Sequence, residues 1–166
     1  MRLIKTASVA EVVQVFKDDQ LVIKELQRST LSWPATLSEQ IDILRRANRR
    51  SDEIQGCSWS LYEIKQCELL FKMHHVWQPQ YLPWSWTFMD MFVAYETKTY
   101  EWPLPNNVSM ISNQLKKNPG SVLPPLVGFV DNSNNEFIKL DDGHNRIVAS
   151  YIARIPFPRL MYVGQI

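Results

Sequence analysis

The chain has 166 residues, 45% of them hydrophobic, with 18 Lys and Arg against 17 Asp and Glu for a net charge of +1. That length and composition give one packed domain, or a small domain with a helical extension, and exclude a wholly disordered chain. The balanced charge excludes a surface that is all nucleic-acid footprint, but not a local basic patch.

Cys57 and Cys67 are too few for a disulfide scaffold and match no zinc spacing. The opening MRLIKTASVAEVV has no apolar run of signal length, and no stretch approaches the ~20 apolar residues of a membrane span. The expectation is a cytoplasmic protein with reduced thiols and no membrane partner.

Residues 1–97 hold one Gly and three Pro, and residues 98–166 hold four Gly and seven Pro. Gly and Pro punctuate short elements, so the first part reads as helical and the second as mixed strands and turns. Ser8 followed by Glu11 has capping-box spacing, with Val9, Val12, Val13 and Phe16 on one helical face. Leu21 to Leu26 either continues that helix or forms a short strand. Ser38 opens a second helix to about Arg50, with Ile41, Leu44 and Ala47 as its stripe. Ser58 or Ser60 opens a third through Leu61, Ile64, Leu69 and Phe71 towards Val76, before Pro79 and Pro83. Ser85 caps a fourth, to about Tyr95.

In the second part Thr99 to Leu104 is expected to be extended, and Ser109 to Lys117 a short helix stopped by Asn118-Pro119-Gly120. Leu126 to Val130 is a buried strand. Asp131 to Asn135 is a turn and Glu136 to Leu140 its hairpin partner. Asn145 to Arg154 is a helix with Ile147, Val148, Tyr151 and Ile152 on one face. A last strand covers Arg159 to Val163.

The stretch Asp141-Asp142-Gly143-His144-Asn145-Arg146 carries the chemistry. A strand ends in Asp-Asp-Gly and a helix starts at once. Gly143 can take positive φ and lets a ligand approach the backbone. The N–H groups of a first helical turn can bind an anion, with His144 and Arg146 as further donors. Asp141 and Asp142 could hold a metal, orient a hydroxyl or act as a base. The plainer alternative is a helix cap, a turn and an ion pair.

The segment LPPLVGFVDNSNNEFIKLDDGHNRIVASYIARIPFPRLMYV resembles the core of the ParB/sulfiredoxin superfamily. That core shows a Pro-led strand, a turn, a strand ending in D-G-H-H-R or G-E-R-R, an Ala-rich helix and a final strand. The resemblance covers about residues 98–166. It implies a small mixed-sheet core for residues 98–166; with the helical region read for residues 1–97 packed on it, the expected fold is α+β. It also implies a loop that binds nucleotide phosphates, with Gly143, His144, Asn145 and Arg146 at the phosphate positions. Position 144 is His where sulfiredoxins need Cys, so sulfiredoxin chemistry is not implied. The kinase members add an acid from the first strand of the core, for which Glu101 is the candidate.

The implied function is nucleotide or phosphate binding, with small-molecule kinase or phosphohydrolase activity as the enzymatic form. ATP, ADP or CTP with Mg²⁺ would be the cofactors, Asp142 the metal ligand, and Asp142, His144 and Glu101 the catalytic set. The alternative is a non-enzymatic DNA-associated regulator or protein-interaction module on the same fold. Arg45, Arg46, Arg49 and Arg50 are the basic run that DNA would use, or cations that complement a helix C-terminus. His74 and His75 are adjacent, a poor metal pair on a helix. All six Trp lie between Trp33 and Trp102, as an aromatic core or a ligand-stacking surface.

Overall fold

The computed structural model describes residues 1–75, 87–99, 105–120, 122–130 and 137–165, with backbone alone at 74–75 and 105–107. Six strands are described: β1 (Arg2–Ala7), β2 (Ser58–Glu63), β3 (Met73–His75), β4 (Leu126–Val130), β5 (Ile138–Asp142) and β6 (Leu160–Gln165). They form one sheet in the order β1-β2-β6-β4-β5-β3. The pairs β1·β2, β2·β6 and β4·β5 are antiparallel, while β4·β6 and β3·β5 are parallel. Around the sheet stand α1 (Val9–Val15), α2 (Gln20–Arg28), α3 (Leu37–Arg46), α4 (Ser51–Gly56), α5 (Gln66–Lys72), α6 (Phe88–Glu96), α7 (Pro105–Lys117) and α8 (His144–Ala153). A 3₁₀ turn at Phe16–Asp18 joins α1 to α2. The protein is α+β.

Two apolar clusters show why the sheet lies in the middle. On one side Val12, Val13, Phe16, Val22, Ile41, Ile43, Leu44 and Ile54, from α1 to α4, pack with Trp59, Leu61, Val127, Phe129 and Tyr162 of the strands. On the other side Leu69, Leu70, Phe88, Met91, Phe92, Val108, Leu115, Ile147 and Val148, from α5 to α8, pack with Leu126, Ile138, Leu140, Met161 and Val163. Along β6, Met161 and Val163 serve one cluster and Tyr162 the other, the alternation a two-sided strand requires.

Local chemistry sets the element ends. Ser8 and Glu11 make the capping box read from the sequence. Asp19 caps α2, with its side chain accepting from Leu21 N and Val22 N, so residues 21–26 are helical. Thr36, not Ser38, caps the next helix, and that helix ends at Arg46, with α4 a separate turn. Thr87 caps α6 through a capping box with Asp90. β4 falls where the apolar run predicts it, and β5 and β6 lie one or two residues later than expected.

The clearest departure is the helix expected from Ser58 or Ser60 to Val76. Its described residues, 58–75, are strand, helix, strand: β2, α5 and β3. Trp59 and Leu61 are 2% and 8% exposed in one cluster, while Tyr62 packs on the other, a period of two rather than 3.6. Trp59 Nε1 donates to Ile54 O at 2.9 Å, and a Cβ on Gly164 would come within 2.8 Å of its ring. Residues 1–97 therefore carry three strands of the sheet, β1, β2 and β3, beside their helices. Among the described residues no helix is long and apolar enough to cross a membrane. Cys57 and Cys67 are free thiols.

Candidate functional site

The 141–146 stretch stands at the end of β5 and the start of α8, and the local chain path follows from a bulge and a glycine. Val127 pairs with Asp142 but Gly128 pairs with Leu140, so Asp141 is the extra residue of a β-bulge. Bulges re-aim side chains, and this one turns two neighbouring carboxylates into the same region. Gly143 follows with φ 112° and ψ 2°. A Cβ there would collide with Leu126 and sit 3.1 Å from Arg146 Nη2, so both the dihedral and the packing require glycine. Gly143 opens α8, and no side chain caps it. First-turn N–H groups have no acceptor inside their own helix, so this end is a donor surface.

Arg146 folds back over the loop. Its Nη2 donates to Asp142 Oδ2 at 2.8 Å and to Pro125 O at 3.1 Å. Asp142, expected to hold a metal or act on an acceptor, is thus an ion-pair partner that pins Arg146. A second arginine arrives from the other half of the chain. Arg49, between α3 and α4, donates from Nη2 to Asp19 and lies 5.7 Å over the Phe16 ring. Arg50 lies 5.6 Å over Phe129 and places Nε 3.5 Å from Asp141 Oδ1.

Beside these groups lies a cleft of about 120 Å³ bordered by residues 18–20, Arg49, Ile111 and residues 141–146. Among the described residues, six buried side-chain N or O atoms have no hydrogen-bond partner. Four of them belong to residues that line this cleft: Arg49 Nε, Asp141 Oδ2, Asn145 Oδ1 and Arg146 Nε. A buried polar group left unpaired costs about 1–3 kcal/mol, and native chains keep few.

Burial pushes the Asp141 carboxyl up from 3.8 to about 6; Arg49 and Arg50 pull it back, while Asp142 and Glu53 push it further up. Burial works against the charge on Arg49, but the charge and hydrogen bond of Asp19 outweigh it and raise its pKa. Arg49 is therefore a cation at neutral pH. The acids beside the cleft arginines are largely engaged: Asp19 by two amides and Arg49, Asp142 by Arg146.

The structure brings Asp142, Gly143, His144, Asn145 and Arg146 to one cleft. His144 is 5% exposed, with its ring 5.9 Å from that of Phe88. Glu101 lies outside the described residues, as do Trp77, Trp84, Trp86 and Trp102. His74 and His75 fall on strand β3, not on a helix. Among the described residues no group of three or more His, Cys, Asp and Glu could hold a metal ion. Each arginine of the basic run has a carboxylate: Arg45 has Asp42 and Asp52, Arg46 has Glu25, Arg49 has Asp19, and Arg50 has Glu53 and Asp141.

Sequence reasoning missed Arg49 as a cleft residue. It appears in the sequence only as part of a basic run, with no local signal that it shares a cleft with Gly143. Asp141 was legible as an acid of the loop, but not as a buried one paired with Arg50. No protein-family model matches the chain, and neither does any curated protein or solved structure compared with it.

Proposed function

We propose that the chain is a phosphate-binding protein of the ParB/sulfiredoxin-like kind, taking a nucleotide or another small phosphate-bearing ligand at the start of α8. The observation that carries this reading is an uncapped helix start at Gly143 that shares its cleft with two arginines, Arg49 and Arg146. Guanidinium groups are N–H donors, and a helix N-terminus beside them favours negative charge. The order β4, β5, α8, β6, with β4 and β6 parallel, supports the superfamily resemblance.

The cleft takes a phosphate group. It is smaller than the ~300–1,000 Å³ of sites that enclose a drug-sized ligand, so the rest of a nucleotide would lie outside it. Arg146 and Arg49 would donate to phosphate oxygens, Gly143 would allow close approach, and Asp142 would hold Arg146 in position. The reaction class that goes with such a site is phosphoryl transfer, to a small acceptor as a kinase or to water as a phosphohydrolase. The residues do not fit a resident Mg²⁺: Asp142 is spent on Arg146 and no ligand cluster exists among the described residues. Mg²⁺ would enter with the phosphates of its nucleotide, which is how this ion is commonly held. The pairing of all four arginines of the basic run with acids favours a small ligand over DNA.

Thermal unfolding tests the reading. A ligand at 100 times its Kd adds about 2.7 kcal/mol, which for a chain of this size raises the midpoint by about 5–11 °C. ATP, ADP and CTP with Mg²⁺, and inorganic phosphate alone, make up the panel. If none moves the midpoint at millimolar concentration, the reading is wrong.

A further inference from the structure

Another concavity, of about 590 Å³, is bordered by residues 1–2, 63–66 and 156–159. It shares no residue with the cleft at the start of α8. Its walls follow from the chain path. The β2·β6 ladder ends with Glu63 opposite Leu160, and one residue further Ile64 N donates to Arg159 O at 2.9 Å. That bond holds the segment before α5 beside the segment before β6, so Lys65 and Arg159 border one hollow. Part of the wall is apolar and rigid. Pro156 and Pro158 have their φ fixed, and the half-buried Phe157 ring stacks on Phe92 at 6.1 Å and 9°. A wall that is already ordered lowers the cost of binding.

The charges of the hollow do not balance. The Met1 amine is paired with Glu68, and Arg2 with Glu63 at 2.6 Å. Lys65 and Arg159 are exposed and have no carboxylate partner among the described residues. Backbone donors are scarce: the prolines have none, Ile64 N is spent on Arg159 O, and Lys65 N donates to Glu68 Oε2 at 2.9 Å. Phosphate sites lean on backbone amides. An anion here would be held by side chains, and an arginine fork beside a lysine suits a carboxylate.

We propose that this hollow binds a small organic acid: an aromatic or apolar body on Phe157 and Pro156, with its carboxylate between Lys65 and Arg159. The volume lies within the ~300–1,000 Å³ of sites that enclose such ligands. The site is independent of the phosphate cleft.

The test titrates the isotope-labelled intact chain at neutral pH with phenylacetate, with its uncharged analogue phenylacetamide, and with inorganic phosphate, followed by backbone amide resonances. Phenylacetate should move Gln66 and Phe157 with a Kd of about millimolar, the range for so small a probe. Phenylacetamide should bind about tenfold more weakly, because two charge-assisted contacts are lost. Lys65→Gln combined with Arg159→Gln should bring the acid down to the amide's affinity. Both side chains are exposed, so the double variant should stay folded by circular dichroism. The proposal is wrong if the amide binds as well as the acid, or if the double variant binds the acid like the parent. It is also wrong if neither probe binds, if phenylacetate moves residues 141–146 instead, or if phosphate displaces it.

Discussion

Replacing Asp141 by Asn should stabilise the protein at neutral and alkaline pH, and by an amount that depends on pH in one direction only. Burial lifts this carboxyl from 3.8 to about 6 in spite of Arg49 and Arg50. At about 1.4 kcal/mol for each tenfold change in proton affinity, ionised Asp141 is on the order of 3 kcal/mol costlier to hold folded than unfolded. The folded chain keeps a proton between about pH 4 and 6 that the unfolded chain has lost. Stability from this group therefore falls as pH rises through that window and is level above it. Asn has the shape of the protonated acid and cannot ionise. The variant should exceed the parent by about 1–3 kcal/mol at pH 8 and match it near pH 4. Urea unfolding followed by circular dichroism at pH 4, 5, 6, 7 and 8 measures this, with a midpoint gap of about 1 M at the alkaline end. A variant less stable than the parent at pH 8 would show that the Arg50 pairing outweighs burial. A gap that stays open on acidification would show that the effect is not ionisation.

Gly143→Ala should cost about 1–3 kcal/mol in urea unfolding, because alanine is strained at φ 112° and its Cβ meets Leu126. Gly128→Ala should cost a similar amount by overpacking, since the new methyl would lie 2.8 Å from Ile138 Cγ2 and from Lys139 O; an unchanged midpoint would mean that β4 and β5 can separate locally. Ser8→Ala removes one half of the α1 capping box and should lower stability by about 1 kcal/mol in the same assay, with phosphate affinity unchanged.

The parts of the fold that were legible are those whose signal is local. Leu126 to Val130 is buried on both faces, so its continuous apolar run predicts β4 directly. Ser8 and Glu11 announce a helix start in four residues. β1 gave no such signal: Arg2 to Thr6 are all exposed along an edge of the sheet, so no alternation marks the strand. β2 was hidden because Leu61 and Ile64 also fit helical spacing and its serines look like caps. The same division applies to the site. Asp142 to Arg146 are neighbours in sequence and could be read together. Arg49 reaches them only because the connection between α3 and α4 passes over the end of β5, a long-range arrangement that no spacing encodes.

The place of β6 in the sheet has a consequence for biosynthesis. β1 and β2 join the remaining strands only through β6, among the described residues, and β6 follows every other strand in chain order. At roughly 5–20 residues per second, the about 100 residues between β2 and β6 keep a ribosome busy for about 5–20 s. Throughout that interval Trp59 and Leu61 lack Tyr162, and the edge of β2 that pairs with β6 has no neighbour. Such a chain is slow to close and sticky while it waits. A holdase chaperone that covers β2 during translation should therefore raise the yield of native protein more than one that acts after release.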